Sequence, residues 1–401
     1  MLLIPALDHK HELCEALIPI ETGIQKGVIM SHELKIAVIG AGHGGKAMAA
    51  DLAARHFHVR LYNRNFANIE VIAARGGIEL NYEDGHSCFG KLALVTSDIA
   101  EALDGVQLIM VVIPASGHAD VAAACAPYLQ DGQVIVLNPG RTGGALEFRQ
   151  VLQQMGCQAD VTIAEAETFL FASRSMGPAE AKIFRTKNSL PVAALPASRT
   201  QIVLEYLNEI YPQFIGAPNV LYTSLNNMGA VFHPALMLLN AGWIEMTQGE
   251  FQFYMEGVTP ATASVLERLD RERVTVATAM GIRAQSAIDW LARAYSAHGD
   301  TLYEAMHANP GYKGINAPVS MRHRYVFEDV PYSLVPIAEL GRRFGVDVYG
   351  IEAMIQLACI IHGTDYRHRG RTLIRMGLEG LSIEEIAHLV ESDAPLVRME
   401  Y

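Results

Sequence analysis

The residues with the clearest chemical meaning lie near the start of the chain. Gly40-Ala41-Gly42-His43-Gly44-Gly45 follows a short apolar run, Lys35–Ile39, and precedes an alanine-rich helical stretch, Lys46–Arg55. Gly40, Gly42 and Gly45 fit the G-x-G-x-x-G spacing of a dinucleotide site. The first glycine permits a tight turn, the second lets backbone approach a pyrophosphate, and the third lets helix and strand pack closely. The helix start then offers free N–H groups to the phosphates. The same spacing would also suit a turn that merely packs tightly. The next strand, Val59–Tyr62, runs into Asn63 and Arg64. An NAD site usually ends this strand in Asp or Glu, whereas a nearby Arg accommodates a 2′-phosphate. Asn63 with Arg64 therefore favours NADP(H), with NAD(H) as the alternative. The competing view is that Arg64 is a solvated surface cation.

Two further loops end apolar runs. Ile113-Pro114-Ala115-Ser116-Gly117-His118 follows one, and Asn138-Pro139-Gly140-Arg141-Thr142-Gly143-Gly144 follows the next. Pro114 stops its strand, and Ala115 beside it leaves room for cofactor at the sheet's carboxyl edge. Either loop could instead be an unliganded turn.

Three residues in the second half form a candidate catalytic set: His233, Arg324 and Asp329. His233 precedes Pro234, which disfavours helical backbone before it. A helix start or kink is therefore expected there. Arg324 and Asp329 lie in RYVFEDVP, which looks like a short extended stretch before a helix opened by Pro331. An odd separation puts them on opposite faces of a strand, so a turn between them is required if they share a site. Each has an ordinary reading as well. A lone histidine is more often structural, Asp329 could stabilise a helix N-terminus, and Arg324 could be a surface cation.

The elements that must position these groups divide into two kinds. Leu108–Ile113, Val134–Leu137, Val161–Ala164 and Pro191–Leu195 are short apolar runs, with helical patterns at His118–Tyr128 and Gly144–Met155 between them. That alternation implies an α/β doubly wound parallel sheet of Rossmann type. From about Asn226 the strand signals fade. Helical spacing takes over at Ala235–Phe253, Ala261–Met280, Ser286–Tyr295, Leu334–Phe344, Ile351–His362 and Ile383–Val390. Pro196 to Tyr222 reads as the connection. The expected organisation is an N-terminal extension over 1–32, a dinucleotide domain over 33–222 and an all-α substrate domain over 223–401. The extension is either a genuine arm or a stretch ahead of a true start at Met30.

Composition narrows the classes further. The chain has 401 residues, half of them hydrophobic, and a formal net charge of −12. A large core is expected and a global nucleic-acid or lipid surface is not. The five cysteines form no CxxC pair. No metal site or disulfide framework is expected, and a reducing cytoplasm fits best. No apolar run reaches the ~20 residues of a membrane span.

In KIAVIGAGHGGKAMAADLA, VVIPASGH, LNPGRTGGALEF, AETFLFASR, NNMGAVFHPALMLLNAG, FYMEGVTP and RYVFEDVPYSLVP, the chain resembles the octopine/nopaline (opine) dehydrogenase family. The pairing of MGAVFHP with RYVFEDVP is the specific part. The resemblance implies a nucleotide domain, a helical domain similar to the 6-phosphogluconate dehydrogenase C-terminal type, and substrates in the cleft between. It implies NAD(P)H-dependent joining of an amino acid amine to a 2-oxo acid, an imine intermediate and its reduction to a secondary amine. His233, Arg324 and Asp329 match the family's catalytic positions. His233 would be the general acid/base, Asp329 would set its tautomer, and Arg324 would bind a substrate carboxylate. Asn227, Tyr254 and Glu256 would line the amine side. Partners would then be small molecules, and the apolar helical half could pack against a second copy as a homodimer. The nearest rival is a hydroxy acid dehydrogenase of ketopantoate reductase type, which would rely on a lysine. Lys313 is the sole lysine of the helical half. A non-catalytic dinucleotide-binding protein is the other alternative.

Overall fold

Strands buried on both faces must be apolar throughout, and the central runs IAVI, LIMV and VIVL meet that demand. The computed structural model describes residues 34–394; the expected N-terminal extension and Cys14 lie outside the described residues. Twelve strands are present among the described residues: β1 (Lys35–Ile39), β2 (His58–Tyr62), β3 (Gly77–Tyr82), β4 (Ser87–Lys91), β5 (Leu94–Thr96), β6 (Leu108–Val111), β7 (Val134–Leu137), β8 (Thr162–Ala166), β9 (Phe171–Gly177), β10 (Glu180–Thr186), β11 (Leu190–Leu195) and β12 (Phe214–Gly216).

Eight of them form one sheet in the order β12-β11-β8-β7-β6-β1-β2-β5. From β5 to β8 all neighbours are parallel. Numbered within that run, the order is 3-2-1-4-5-6, with its reversal between β1 and β6. Ligands bind at such a switch point, outside the carboxyl ends of the strands. Gly40–Gly45 and Val112–His118 leave the sheet there. The period of two sorts the strands onto two cores. Ile36, Val38, Leu108, Met110, Val134 and Val136 join one cluster, while Ala37, Ile39, Ile109, Val111, Ile135 and Leu137 join another. The second cluster continues into the helical half through Leu225, Phe232 and Leu236, so helices dock on that side.

Several local expectations are corrected. A second sheet, β4-β3-β10-β9, covers the first helix, His43–Ala54. Asp84-Gly85 turns between its alternating antiparallel strands β3 and β4, a hairpin. Pro196 to Tyr222, expected as the connection, is itself structured: it holds the helix Thr200–Ile210 and edge strand β12, which complete the sheet. Strand β11 runs antiparallel to β8. The single helical span expected over Ala235–Phe253 is two helices, Met228–Leu239 and Ala241–Thr247, parted at Asn240.

The described residues belong to one compact unit, and buried polar groups join its halves. The Arg371 guanidinium is fully buried, donates to Glu147 at 2.7 Å and reaches the carbonyls of Gly140 and Thr142. Glu165 accepts from Thr223, Ser224 and the Ala145 amide. Each group is expensive to bury alone and acceptable when paired, which fixes how the loops after β7 meet the helices. Among the described residues, no helix is long and apolar enough to cross a membrane.

Candidate active site

His233 and Pro234 lie inside the helix Met228–Leu239, not at its start or a break. Proline lacks the N–H that would bond the Ala230 carbonyl, and local preference opposes helix at His233. Tertiary packing overrides both, because nine of the twelve residues are buried. Asn227 caps this helix, its Oδ1 accepting from the Gly229 amide at 3.1 Å. Arg324 opens a short helical turn, Arg324–Phe327, and Asp329 precedes a π-helical stretch, Val330–Leu334. The expected extended segment is therefore helical. The turn required between Arg324 and Asp329 is this helical one.

The geometry unites His233 and Asp329. The Nδ1–Oδ2 distance is 2.8 Å. An ionised carboxylate only accepts, so Nδ1 carries the proton and Nε2 is left for the cavity. The ring stacks on Tyr325 at 3.9 Å between centroids. Asp329 is fully buried and makes no cap on the following helix, which removes its ordinary reading. Burial pushes its carboxyl up, but Arg141, then His233 and Arg324, outweigh this and hold it below the usual range. Arg141 Nη1 sits 3.0 Å from Asp329 Oδ1, an ion pair whose N–H is not aligned as a hydrogen bond.

Arg141, Glu328, Tyr325, Glu167 and Lys187 were not among the expected site residues. Arg141 has φ +59°, a left-handed backbone that strains a non-glycine residue. It contacts Glu328 at 3.3 Å and Asn227 at 3.3 Å. Glu328 also accepts from Arg324 Nε at 2.9 Å and from the Ala115 amide at 3.2 Å. One buried carboxylate thus ties the loop after β6 to two arginines. Arg324 is half exposed, and its terminal nitrogens remain available to a ligand. The Arg324–Glu328 spacing of four is a helical pairing, visible only once the segment is read as helix.

These groups face a cavity of ≈ 320 Å³ between the halves, lined among others by Arg141, Glu167, Lys187, His233, Tyr254 and Arg324. Asn227 lines it too. Glu256 does not: it is exposed and accepts from the Gln252 amide at 2.6 Å. Lys313 is exposed in a loop and absent from the cavity wall.

The glycine loop suits a dinucleotide. A Cβ on Gly45 would lie 1.8 Å from the Gly40 carbonyl oxygen, so strand and helix meet this closely only because residue 45 is glycine. A Cβ on Gly42 would meet nothing, leaving open space at a helix start with no side-chain cap. Asn63 spends its Oδ1 on the Asn65 amide and Asn68, shaping the turn. Arg64 is exposed beside Asp120 at 3.6 Å. Pro114 begins the turn that carries Ala115, whose N–H is already taken by Glu328.

A parallel sheet with a glycine loop at its switch point, joined to helices across a cleft holding a His–Asp pair, defines a two-domain NAD(P)-dependent oxidoreductase. Residues 35–152 match the NAD-dependent glycerol-3-phosphate dehydrogenase N-terminus. Residues 216–362 match the NAD/NADP octopine/nopaline dehydrogenase alpha-helical domain. The chain is 40% identical over 357 residues to an opine dehydrogenase from Arthrobacter sp., covering 88% of this chain and 98% of that protein. It is similar in fold to octopine dehydrogenase bound to NADH and L-arginine, with TM-score 0.75, 22% identity and coverage of 91% and 100% of the two chains. A pyruvate complex of octopine dehydrogenase gives TM-score 0.71, 23% identity and coverage of 86% and 95%. The chain belongs to the octopine/nopaline dehydrogenase family and is an opine dehydrogenase-type oxidoreductase acting on CH–NH bonds.

Proposed function

We propose that this protein joins the amine of an amino acid to a 2-oxo acid in the cleft below the sheet's carboxyl edge, with His233 as the acid/base. The 2.8 Å His233–Asp329 contact facing the cavity carries this reading. Asp329 keeps the proton on Nδ1, so Nε2 exchanges protons with the carbonyl oxygen as it becomes hydroxyl and then water. Arg324 offers its free terminal nitrogens to a substrate carboxylate, and Glu328 fixes its direction through Nε. Tyr325 backs the imidazole and restricts its rotation. Asn227 and Tyr254 border the amine side, and Glu256 has no part in it. A bound nicotinamide dinucleotide, held along Gly40, Gly42, Gly45 and the loop at Pro114 and Ala115, supplies the hydride. Arg64 and the lack of an acid at the end of β2 favour NADP(H) over NAD(H). The described cysteines Cys88, Cys125, Cys157 and Cys359 are free thiols, in keeping with a cytoplasmic setting. The complexes of similar enzymes with arginine and pyruvate support an amino acid and a small oxo acid as the substrate pair.

NADPH oxidation screened over 2-oxo acids, with and without amino acids, tests this. Oxidation must require both substrates, and His233→Ala must slow it by roughly 100- to 10,000-fold. Equal oxidation with the oxo acid alone would make the protein a hydroxy acid dehydrogenase instead.

A further inference from the structure

The condensation needs proton transfers at two separated atoms. The amine arrives as ammonium and must shed a proton before its lone pair can attack. The carbonyl oxygen must gain two protons to leave as water. His233 serves the oxygen. The cavity holds a second group suited to the nitrogen.

Glu167 follows β8 at the carboxyl edge of the sheet, with its amide donating to the Pro191 carbonyl at 2.9 Å. The residue is 7% exposed, and Oε2 has no hydrogen-bond partner among the described residues. A buried carboxylate oxygen normally has a partner, so an unmatched one on a residue that lines a cavity marks a place for a ligand donor. Glu167 faces both the His233 cavity and an adjoining one of ≈ 260 Å³ bordered by Trp290, Arg293 and Tyr295. Lys187 lies beside it but spends its ammonium on Thr168 Oγ1 and the Phe169 carbonyl, each at 2.9 Å.

We propose that Glu167 is the base that accepts the proton of the substrate ammonium and returns it to the product amine. This rests on the reading given under Proposed function. The ammonium gives one proton to the Glu167 carboxylate, and the freed lone pair forms the C–N bond. The carbonyl π pair moves to oxygen, which takes the proton of the His233 imidazolium. The nitrogen then loses a second proton to neutral His233. His233 delivers it to the hydroxyl, which leaves as water as the nitrogen lone pair forms the iminium. After the iminium carbon has accepted hydride, Glu167 protonates the secondary amine. One solvent proton resets His233, so one proton is consumed overall. The surroundings suit the task. Burial pushes the Glu167 carboxyl up to about 7, against the pull of Arg293, Lys187 and Arg273, so both protonation states are populated near neutral pH. Burial likewise pushes Lys187 down to about 8, with Glu167 opposing and Arg141 assisting. Arg185 and Tyr295 also border the adjoining cavity, and burial pushes the Tyr295 phenol up against the pull of Arg185.

The test is Glu167→Gln, which keeps size but accepts no proton. Wild type must first show that NADPH oxidation needs both substrates; failure there sinks the parent reading, not this one. Glu167→Gln should then lose at least about 100-fold in kcat at pH 7 with unchanged NADPH affinity. Its kcat/KM for the amine should rise about tenfold per pH unit below the amine's own pKa, since only solvent-deprotonated amine can react. Glu167→Asp retains a base and should keep the wild-type pH profile at reduced rate. A Glu167→Gln enzyme within threefold of wild-type kcat would overturn the proposal. So would one that only weakens amine KM with an unaltered pH profile.

Discussion

Asp329→Asn is the sharpest perturbation of the site, because the replacement has the same shape and no arrangement that satisfies both neighbours. Asp329 Oδ2 faces His233 Nδ1 at 2.8 Å and Oδ1 faces Arg141 Nη1 at 3.0 Å. An asparagine has one acceptor and one donor end. With its oxygen toward His233, its NH2 points at the Arg141 guanidinium, donor against donor. With its NH2 toward His233, Nδ1 must become the acceptor and the proton moves to Nε2, the wrong tautomer for a base. Arg141 keeps Glu328 at 3.3 Å, so it is not left alone. The stability cost is therefore that of a mismatched buried polar pair, about 1–3 kcal/mol. A buried ion pair broken outright would cost about 3–5 kcal/mol. The rate cost is larger, since a mis-set tautomer lowers turnover by on the order of 10³- to 10⁴-fold, or about 4–5 kcal/mol of barrier. Steady-state NADPH oxidation with saturating amine and oxo acid reads the rate. Urea unfolding and NADPH fluorescence titration show that the fold survives. A folded Asp329→Asn enzyme within tenfold of wild-type turnover would refute the orienting role. So would a His233→Ala/Asp329→Asn double variant whose losses multiply, because groups that act as a unit are not additive.

Other outcomes follow from the same geometry. Arg64→Ala should raise KM for NADPH by about tenfold or more while leaving KM for NADH nearly unchanged, as lost pairing with a 2′-phosphate requires; parallel changes for both would detach Arg64 from cofactor choice. Gly45→Ala should weaken NADPH binding at least about tenfold and destabilise the fold by roughly 1–3 kcal/mol, because its Cβ would press on the Gly40 carbonyl; native affinity and melting temperature would contradict this. His118 is fully buried, and burial, aided by Arg371, pushes it down to about 3. The unfolded chain therefore takes up this proton first, near ~6.5, and stability falls as pH drops below that value. Between pH 8 and pH 5, wild type should lose about 2 kcal/mol more than His118→Asn in urea unfolding, and identical pH slopes would exclude the effect.

The local parts of this protein were legible in its residues. A glycine loop between an apolar strand and an alanine-rich helix depends on backbone sterics over six consecutive positions, so spacing alone exposes it. Continuous apolar runs likewise announced the parallel strands, because burial on both faces leaves no polar position. The motifs around His233 and Asp329 name the pair through family likeness, although local preference points away from the helical backbone found there. Pro234 argues against helix by local preference, and the packing of Met228–Leu239 overrules it. The rest of the site could not be read in advance. Arg141 meets Glu328 across 187 positions, and Arg371 meets Glu147 across 224. Such pairings come from how helices dock on one face of the sheet, and nothing in the flanking residues encodes them. Glu167 and Glu256 are both carboxylates within quoted motifs, yet one is buried against the cavity and the other caps a turn in solvent. Residue type and short-range spacing thus fixed the chemistry available. Which groups are desolvated, paired or left free for substrate was decided by long-range packing, because burial and partnership belong to the assembled chain.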